Sequence, residues 1–365
     1  MRVPAEQVRK QILSVFSAWG MDEQLADTTA DVMVDTDLAG IDSHGLSMLM
    51  FYEGIRDRGE LVLDIAPVVV REHGATALID AQAGLGHPAA VMGMQLAVDK
   101  AETFGVGVVT VVNSHHFGAL GYYASMAAER GVTGMVATTA RTVAALPTRG
   151  TVPMLPTNPI AFAAPARRNR PFLLDMSTCT VAANKVKVYE FEGKPLPAGW
   201  VLDAKGQPVL DAAEAMKYIF ERPDGGISPL GGTAEMRSHK GYGLALMVQF
   251  LSGALPGGSF APVREQQPGA PDNIGHFFLA IDPKAFRAPG EFEDDVDVVI
   301  DMLHATPPID PELPVLVPGD PEAAMREERR RDGIPISQAL REKIRGVCER
   351  SGAEYLLEPS QGSGR

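Results

Sequence analysis

Cysteine is nearly absent: Cys179 and Cys348 are the only two in 365 residues. Two cysteines so far apart, in unlike contexts, make no disulfide framework, and a reducing cytoplasm is the expected compartment. Paired CxxC spacings and HExxH are also missing, and adjacent histidines such as His115 and His116 cannot easily hold one ion, so no metal is expected. No stretch reaches the roughly 18 uncharged apolar residues that a membrane span requires. The opening MRVPAEQVRKQILSVF lacks the unbroken apolar core and small-residue cleavage site of a signal peptide. An excess of basic residues is missing too. The formal net charge is -13, which argues against nucleic acid or an anionic membrane as a partner. A small acid remains compatible, because it needs only a local cation. There is no G-x-S-x-G elbow, and neighbours such as Ser43 and His44 rarely face each other, which weakens a hydrolase reading.

What is present is an α/β texture, in a chain long enough for two or three packed units. Apolar spacing predicts helices over 5–19, 22–38 and onward through Tyr52 to about 58. Short strands at 68–72 and 76–80 precede a helix over 89–104, a β-branched strand at 108–112, a helix over 122–130 and a strand at 134–139. Further on, a strand is read at 172–178, a helix at 180–191, and irregular peripheral structure over 193–226 with a short helix near 212–218. An apolar helix over 244–255, a strand at 277–281 and charged helices over 321–331 and 337–350 complete the pattern. Residues after Leu357 read as a loose tail.

The strand at 108–112 runs into Asn113-Ser114-His115-His116-Phe117-Gly118-Ala119-Leu120-Gly121 and then a helix. Such an edge is where α/β proteins place ligands, and the helix start can offer N–H groups to a phosphate. The segment Gly84-Leu85-Gly86-His87-Pro88-Ala89 fits a dinucleotide fingerprint. The acidic residue that should close the next strand is missing, so these glycines read as a turn before a helix. Ser43 can cap the third helix, and His44 by itself reads as a surface histidine. General acid–base chemistry with a nucleotide cofactor is the best supported of these readings, since a histidine can pass a proton to or from an oxygen near neutral pH.

Six segments in order then carry a resemblance. They are Asp42-Ser43-His44-Gly45, Asn113-Ser114-His115-His116-Phe117-Gly118, Thr157-Asn158-Pro159-Ile160-Ala161-Phe162, Leu174-Asp175-Met176-Ser177, His239-Lys240-Gly241-Tyr242-Gly243 and Pro318-Gly319-Asp320-Pro321-Glu322. Together they resemble the malate/L-lactate dehydrogenase family, which is unrelated to the Rossmann-type lactate dehydrogenases. The resemblance implies a cytoplasmic oxidoreductase using NAD or NADP on a small 2-hydroxy acid, its 2-keto counterpart or a cyclic imino acid. It implies a homodimer with a non-Rossmann NAD(P)-binding α/β domain, over 71–301, and a helical domain formed from both termini, over 1–70 and 302–365. Residues 192–237 are expected as a peripheral part of the α/β domain.

Carried over by position, Ser43 and His44 match a serine that orients a proton-donating histidine, and His116 matches a second histidine with an acid–base role in some members. Lys185 matches a position often held by lysine, which could stabilise a developing alkoxide. Thr157 and Asn158 match substrate-side positions. Phe117, Gly118, Ala119, Leu120, Asp175, Met176, Ser177, His239, Lys240, Gly319 and Asp320 match cofactor-contacting ones. One departure matters. Many members carry an arginine, a planar fork for the substrate carboxylate, where this chain has Met48. Arg141, Arg149 or Lys185 would have to replace it, or the substrate differs. A non-catalytic member that only binds a nucleotide or small acid is the rival reading, and the retained Ser43, His44, His116 and Lys240 count against it.

Overall fold

The computed structural model describes residues 1–267, 269 and 271–358; from 359 onward the expected tail lies outside the described residues. Strand β1 (Arg2–Val3) leads into α1 (Ala5–Ala18) and α2 (Glu23–Leu38), and a single 3-10 turn at Leu46–Met48 starts α3 (Leu49–Asp57). Next come β2 (Val68–His73), β3 (Thr76–Asp80), α4 (Gly86–Phe104), β4 (Val106–Ser114), α5 (Leu120–Glu129), β5 (Thr133–Thr138), β6 (Ile160–Ala164) and β7 (Phe172–Met176). Then follow α6 (Ala183–Glu192), β8 (Val201–Leu202), α7 (Ala212–Phe220), β9 (Gly226–Ile227) and α8 (His239–Val248). The chain closes with α9 (Ala261–Arg264), β10 (Ile274–Ile281), α10 (Glu291–His304), α11 (Asp320–Asp332), β11 (Ile334–Pro335) and α12 (Gln338–Ser351). Local chemistry sets several boundaries: the Asp22 carboxylate accepts the Gln24 and Leu25 N–H groups at the start of α2, and Ser337 accepts that of Leu340 at the start of α12.

The main sheet has seven strands in the order β2-β3-β4-β10-β5-β6-β7. Only β3 and β4 run parallel; every other pair is antiparallel. The α/β reading stands, and a mixed sheet agrees with the failed dinucleotide fingerprint, since doubly wound folds rest on parallel strands. Helices α4 and α5 cover one face. Their alanines, Ala90, Ala97, Ala124 and Ala127, lie against Val109, Val111, Val136, Ala161 and Phe278 of the sheet.

A second core draws on both chain ends. Ile12 and Phe16 of α1, Met33 of α2 and Leu49, Tyr52 and Ile55 of α3 pack with Ile334, Ile336, Ile344 and Val347 near the C-terminus. The segment 192–237 carries buried residues of its own, apart from the core of the main sheet. Leu196, Val201, Ala212, Ala215, Ile219 and Ile227 build a third core with Val181, Val186 and Ala245. Strand β6 and helix α10 were not anticipated, nor were the short elements β1, β8, β9, α9 and β11.

Strand β10 is stitched to both neighbours by one side chain. His276, fully buried, has Nδ1 2.7 Å from Thr138 Oγ1 on β5 and Nε2 2.9 Å from Ser114 Oγ on β4. Burial pushes His276 down to about 3, and His87 in the first turn of α4 to the same value. Between that value and the ordinary 6.5, the unfolded chain binds protons that the folded chain refuses. Stability is therefore complete above neutrality and lost as pH falls. Each of the two should cost about 1.4 kcal/mol by pH 5.5. Urea denaturation at pH 7.5 and 5.5 measures this, and His87→Gln should flatten the slope by one histidine's share.

Candidate active site

A cavity of about 550 Å³ opens where the three cores meet. Ser43, His44, Met48 and Phe51 line it from the helical core, His116 to Leu120, Thr139, Arg141, Thr157 and Asp175 to Ser177 from the sheet, and Ile219, Phe220 and Ile227 from the third core. The rings of His44 and His116 are 5.3 Å apart.

The two histidines that follow β4 diverge. His115 is buried, with Nε2 2.9 Å from the Glu60 carbonyl and Nδ1 3.3 Å from Asp272 Oδ2. His116 faces the cavity. Its Nδ1 accepts the Gly118 N–H at 3.3 Å and lies 2.8 Å from the Tyr52 hydroxyl. A backbone N–H can only donate, so the proton of neutral His116 sits on Nε2. Tyr52 is fully buried, with His87 Nε2 3.5 Å behind it. Burial, then the neighbouring His44, His87 and His276, hold His116 well below the usual histidine range. The fingerprint-like glycine explains this loop's position: Gly86 donates its N–H to the His116 carbonyl, and a Cβ there would collide with the His115 carbonyl and Phe117.

Ser43 Oγ lies 2.7 Å from His44 Nδ1, and burial lowers the His44 pKa. The loop that carries this pair is fastened from below. Arg329 of α11 grips the Asp42 carboxylate with both terminal nitrogens and donates to the Asp37 carbonyl at 2.6 Å. The Asp37 carboxylate accepts the Leu46 N–H at 2.8 Å. Burial pushes Asp37 up to about 8, against the pull of that N–H. Gly45 lies directly over this carboxylate, where any Cβ would overlap it.

The start of α5 was expected to receive a phosphate. Instead the Gly121 N–H is taken by Asp175 Oδ2 at 2.7 Å, and burial raises Asp175 to about 6. Arg141 lines the cavity with Nη1 tied to Asp272 at 3.1 Å and Glu60 at 3.3 Å. Other expected site residues stand apart from the cavity. Asn158 is fully buried, donating to the Ala245 carbonyl at 2.9 Å. Lys185, His239 and Lys240 are exposed on α6 and α8. Gly319 packs on Leu173, and Asp320 bonds His304 Nε2 at 2.7 Å beside a separate crevice. Tyr52, Phe51, Glu322 and the wall of Ile219, Phe220 and Ile227 were not anticipated as site residues. For Phe51 the available signal was its place three residues after Met48 on the third helical pattern.

A sequence profile described as malate/L-lactate dehydrogenase matches residues 3–345. The chain belongs to the malate/L-lactate dehydrogenase family. Among relatives of this family, malate dehydrogenase of Pyrococcus horikoshii is 37% identical over 360 residues, 98% of this chain and 97% of that one. L-sulfolactate dehydrogenase of Methanothermobacter thermautotrophicus is 35% identical over 352 residues, 95% of this chain and 96% of that one. The crystal structure of malate dehydrogenase from Entamoeba histolytica superposes with a TM-score of 0.91 at 28% identity, covering 97% of this chain and 99% of that one.

The fastening of the Ser43–His44 loop can be tested. Gly45→Ala should destabilise the fold by about 1–3 kcal/mol through overpacking. By displacing His44 it should also lower turnover by about 10²-fold. Denaturation midpoints and steady-state rates on the same preparation would separate the two effects.

Proposed function

We propose that this protein is an NAD(P)-dependent dehydrogenase that moves hydride between nicotinamide and C2 of a small 2-hydroxy acid or its 2-oxo counterpart. Family membership supports an oxidoreductase. The observation that carries the reading is the pair of differently held histidines, His44 and His116, facing one cavity with Arg141. The nucleotide supplies or accepts the hydride when bound. Phe117 to Leu120, Met176 and Ser177, all in the cavity wall, would hold the nucleotide through backbone and apolar surfaces.

His116 presents Nε2–H and resists a positive charge, which suits a neutral hydrogen-bond donor to the substrate C2 oxygen. His44 has its Nδ1 engaged by Ser43, leaving Nε2 to take the hydroxyl proton during oxidation and return it during reduction. Thr157 supplies a hydroxyl on the substrate side, and Arg141 a guanidinium for the carboxylate. Lys185, Lys240, Gly319 and Asp320 are assigned no step, because they lie outside the cavity.

A cytoplasmic placement is supported by Cys179 and Cys348, both unpaired and buried. A homodimer is supported by α10, whose Val298, Val299 and Met302 are 53%, 58% and 70% exposed. Val299→Asp should shift the protein toward monomer in light scattering. Replacing His44 or His116 by Ala should lower turnover by about 10²–10⁴-fold while cofactor affinity changes little. Steady-state rates and nucleotide fluorescence titration measure the two, and full turnover in both variants would overturn the assignment.

A further inference from the structure

Building on the dehydrogenase reading, we infer that the substrates are monocarboxylic 2-oxo and 2-hydroxy acids with a branched aliphatic or aromatic side chain, rather than acids with two anionic groups. The argument begins with cations. Among the described residues, Arg141 is the one lysine or arginine in the cavity wall. Its Nη1 is held by Asp272 and Glu60, while its Nε and Nη2 make no hydrogen bond to described residues. That leaves one side of one guanidinium, enough for a single carboxylate in the two-pronged arrangement. The remaining charged groups in the wall are Asp175 and Glu322. A second carboxylate or a sulfonate would enter without a cation and beside acids, which a desolvated cleft disfavours strongly.

The rest of the wall suits hydrocarbon. Met48 and Phe51 stand on the helical side, and Ile219, Phe220 and Ile227 on the third-core side. The latter wall is tied close to the anchor. Ile227 donates its N–H to the Ala144 carbonyl at 2.9 Å, three residues beyond Arg141. Each substrate methylene moved from water onto such a surface favours binding by about four-fold. The balanced step is R–CO–COO⁻ with NAD(P)H and a proton giving R–CHOH–COO⁻ and NAD(P)⁺. The side chain R takes no part in it and is free to occupy the apolar wall.

Initial rates of NADH and NADPH oxidation with pyruvate, oxaloacetate, 3-sulfopyruvate, 4-methyl-2-oxopentanoate and phenylpyruvate test this, with calorimetric titration of the same acids onto the cofactor-bound enzyme. The expected result is that kcat/KM for one of the last two exceeds that for oxaloacetate and 3-sulfopyruvate by ten-fold or more. Met48→Arg should narrow or reverse the ratio by a similar factor, and Met48→Leu should preserve it. Turnover that favours oxaloacetate or 3-sulfopyruvate overturns the inference and leaves the dehydrogenase reading standing. Preferential binding of the apolar acids with no oxidation of either nucleotide supports the ligand class and overturns the dehydrogenase reading. Neither turnover nor binding of the apolar acids overturns both.

Discussion

The contact between the Tyr52 hydroxyl and His116 Nδ1, 2.8 Å long, ties the helical core to the loop after β4 at the edge of the cavity. Tyr52 belongs to the helical core and His116 to the loop after β4. A buried hydroxyl left without a partner costs about 1–3 kcal/mol. Sliding one core against the other is therefore penalised at the point where the chemistry is placed. The same contact, with the Gly118 N–H, decides which nitrogen of His116 faces the cavity with a proton. Packing and protonation state are thus fixed by one arrangement.

The C-terminal part of the chain completes what the N-terminal part begins. Arg329 reaches from α11 to Asp42 and the Asp37 carbonyl, and Arg326 holds Asp35 through two bonds of 3.1 and 2.8 Å. Glu322, one turn earlier in the direction of the cavity, is part of its wall. The Ser43–His44 loop is consequently not a feature of residues 1–60 alone. It takes its shape from a helix nearly three hundred residues away in sequence, and loosening α11 would be felt first at His44.

The long amphipathic elements were legible from spacing, because each buries a continuous stripe: α1, α2, α4, α5 and α12 lie where period and caps put them. Strand β6 escaped notice because its five residues sit between Pro159 and Pro165 in a stretch that reads as loop. Helix α10 escaped because it buries only Asp297 and Ile300 among its fourteen residues and leaves Val298 and Val299 outside. The third core was hidden by distance, its members scattered from Ala144 to Ala245 in a stretch rich in Pro and Gly. At the site, the motif histidines could be found by the company they keep. Tyr52 and His87 could not, since a tyrosine at helical spacing and a histidine beside a proline are fully accounted for by packing until the fold brings them to His116. The α5 N-terminus misled for a related reason: a free helix start and one already capped by Asp175 look alike until Asp175 is placed on β7.

These arrangements separate what must stay constant from what can vary. In the proposed reading the proton-handling groups are His44, His116, Ser43 and Tyr52, and each is tied by a hydrogen bond to another of them. Met48, Phe51, Ile219 and Phe220 touch the same cavity with side chains that form no hydrogen bonds. Exchanging one of them alters shape and charge in the wall without leaving a buried donor or acceptor unpaired, so its cost to stability is small compared with a change in the histidine network. In the proposed reading, Met48 in place of a carboxylate-binding arginine is a change of this kind: Arg141 takes the carboxylate, and the wall beside His44 is apolar.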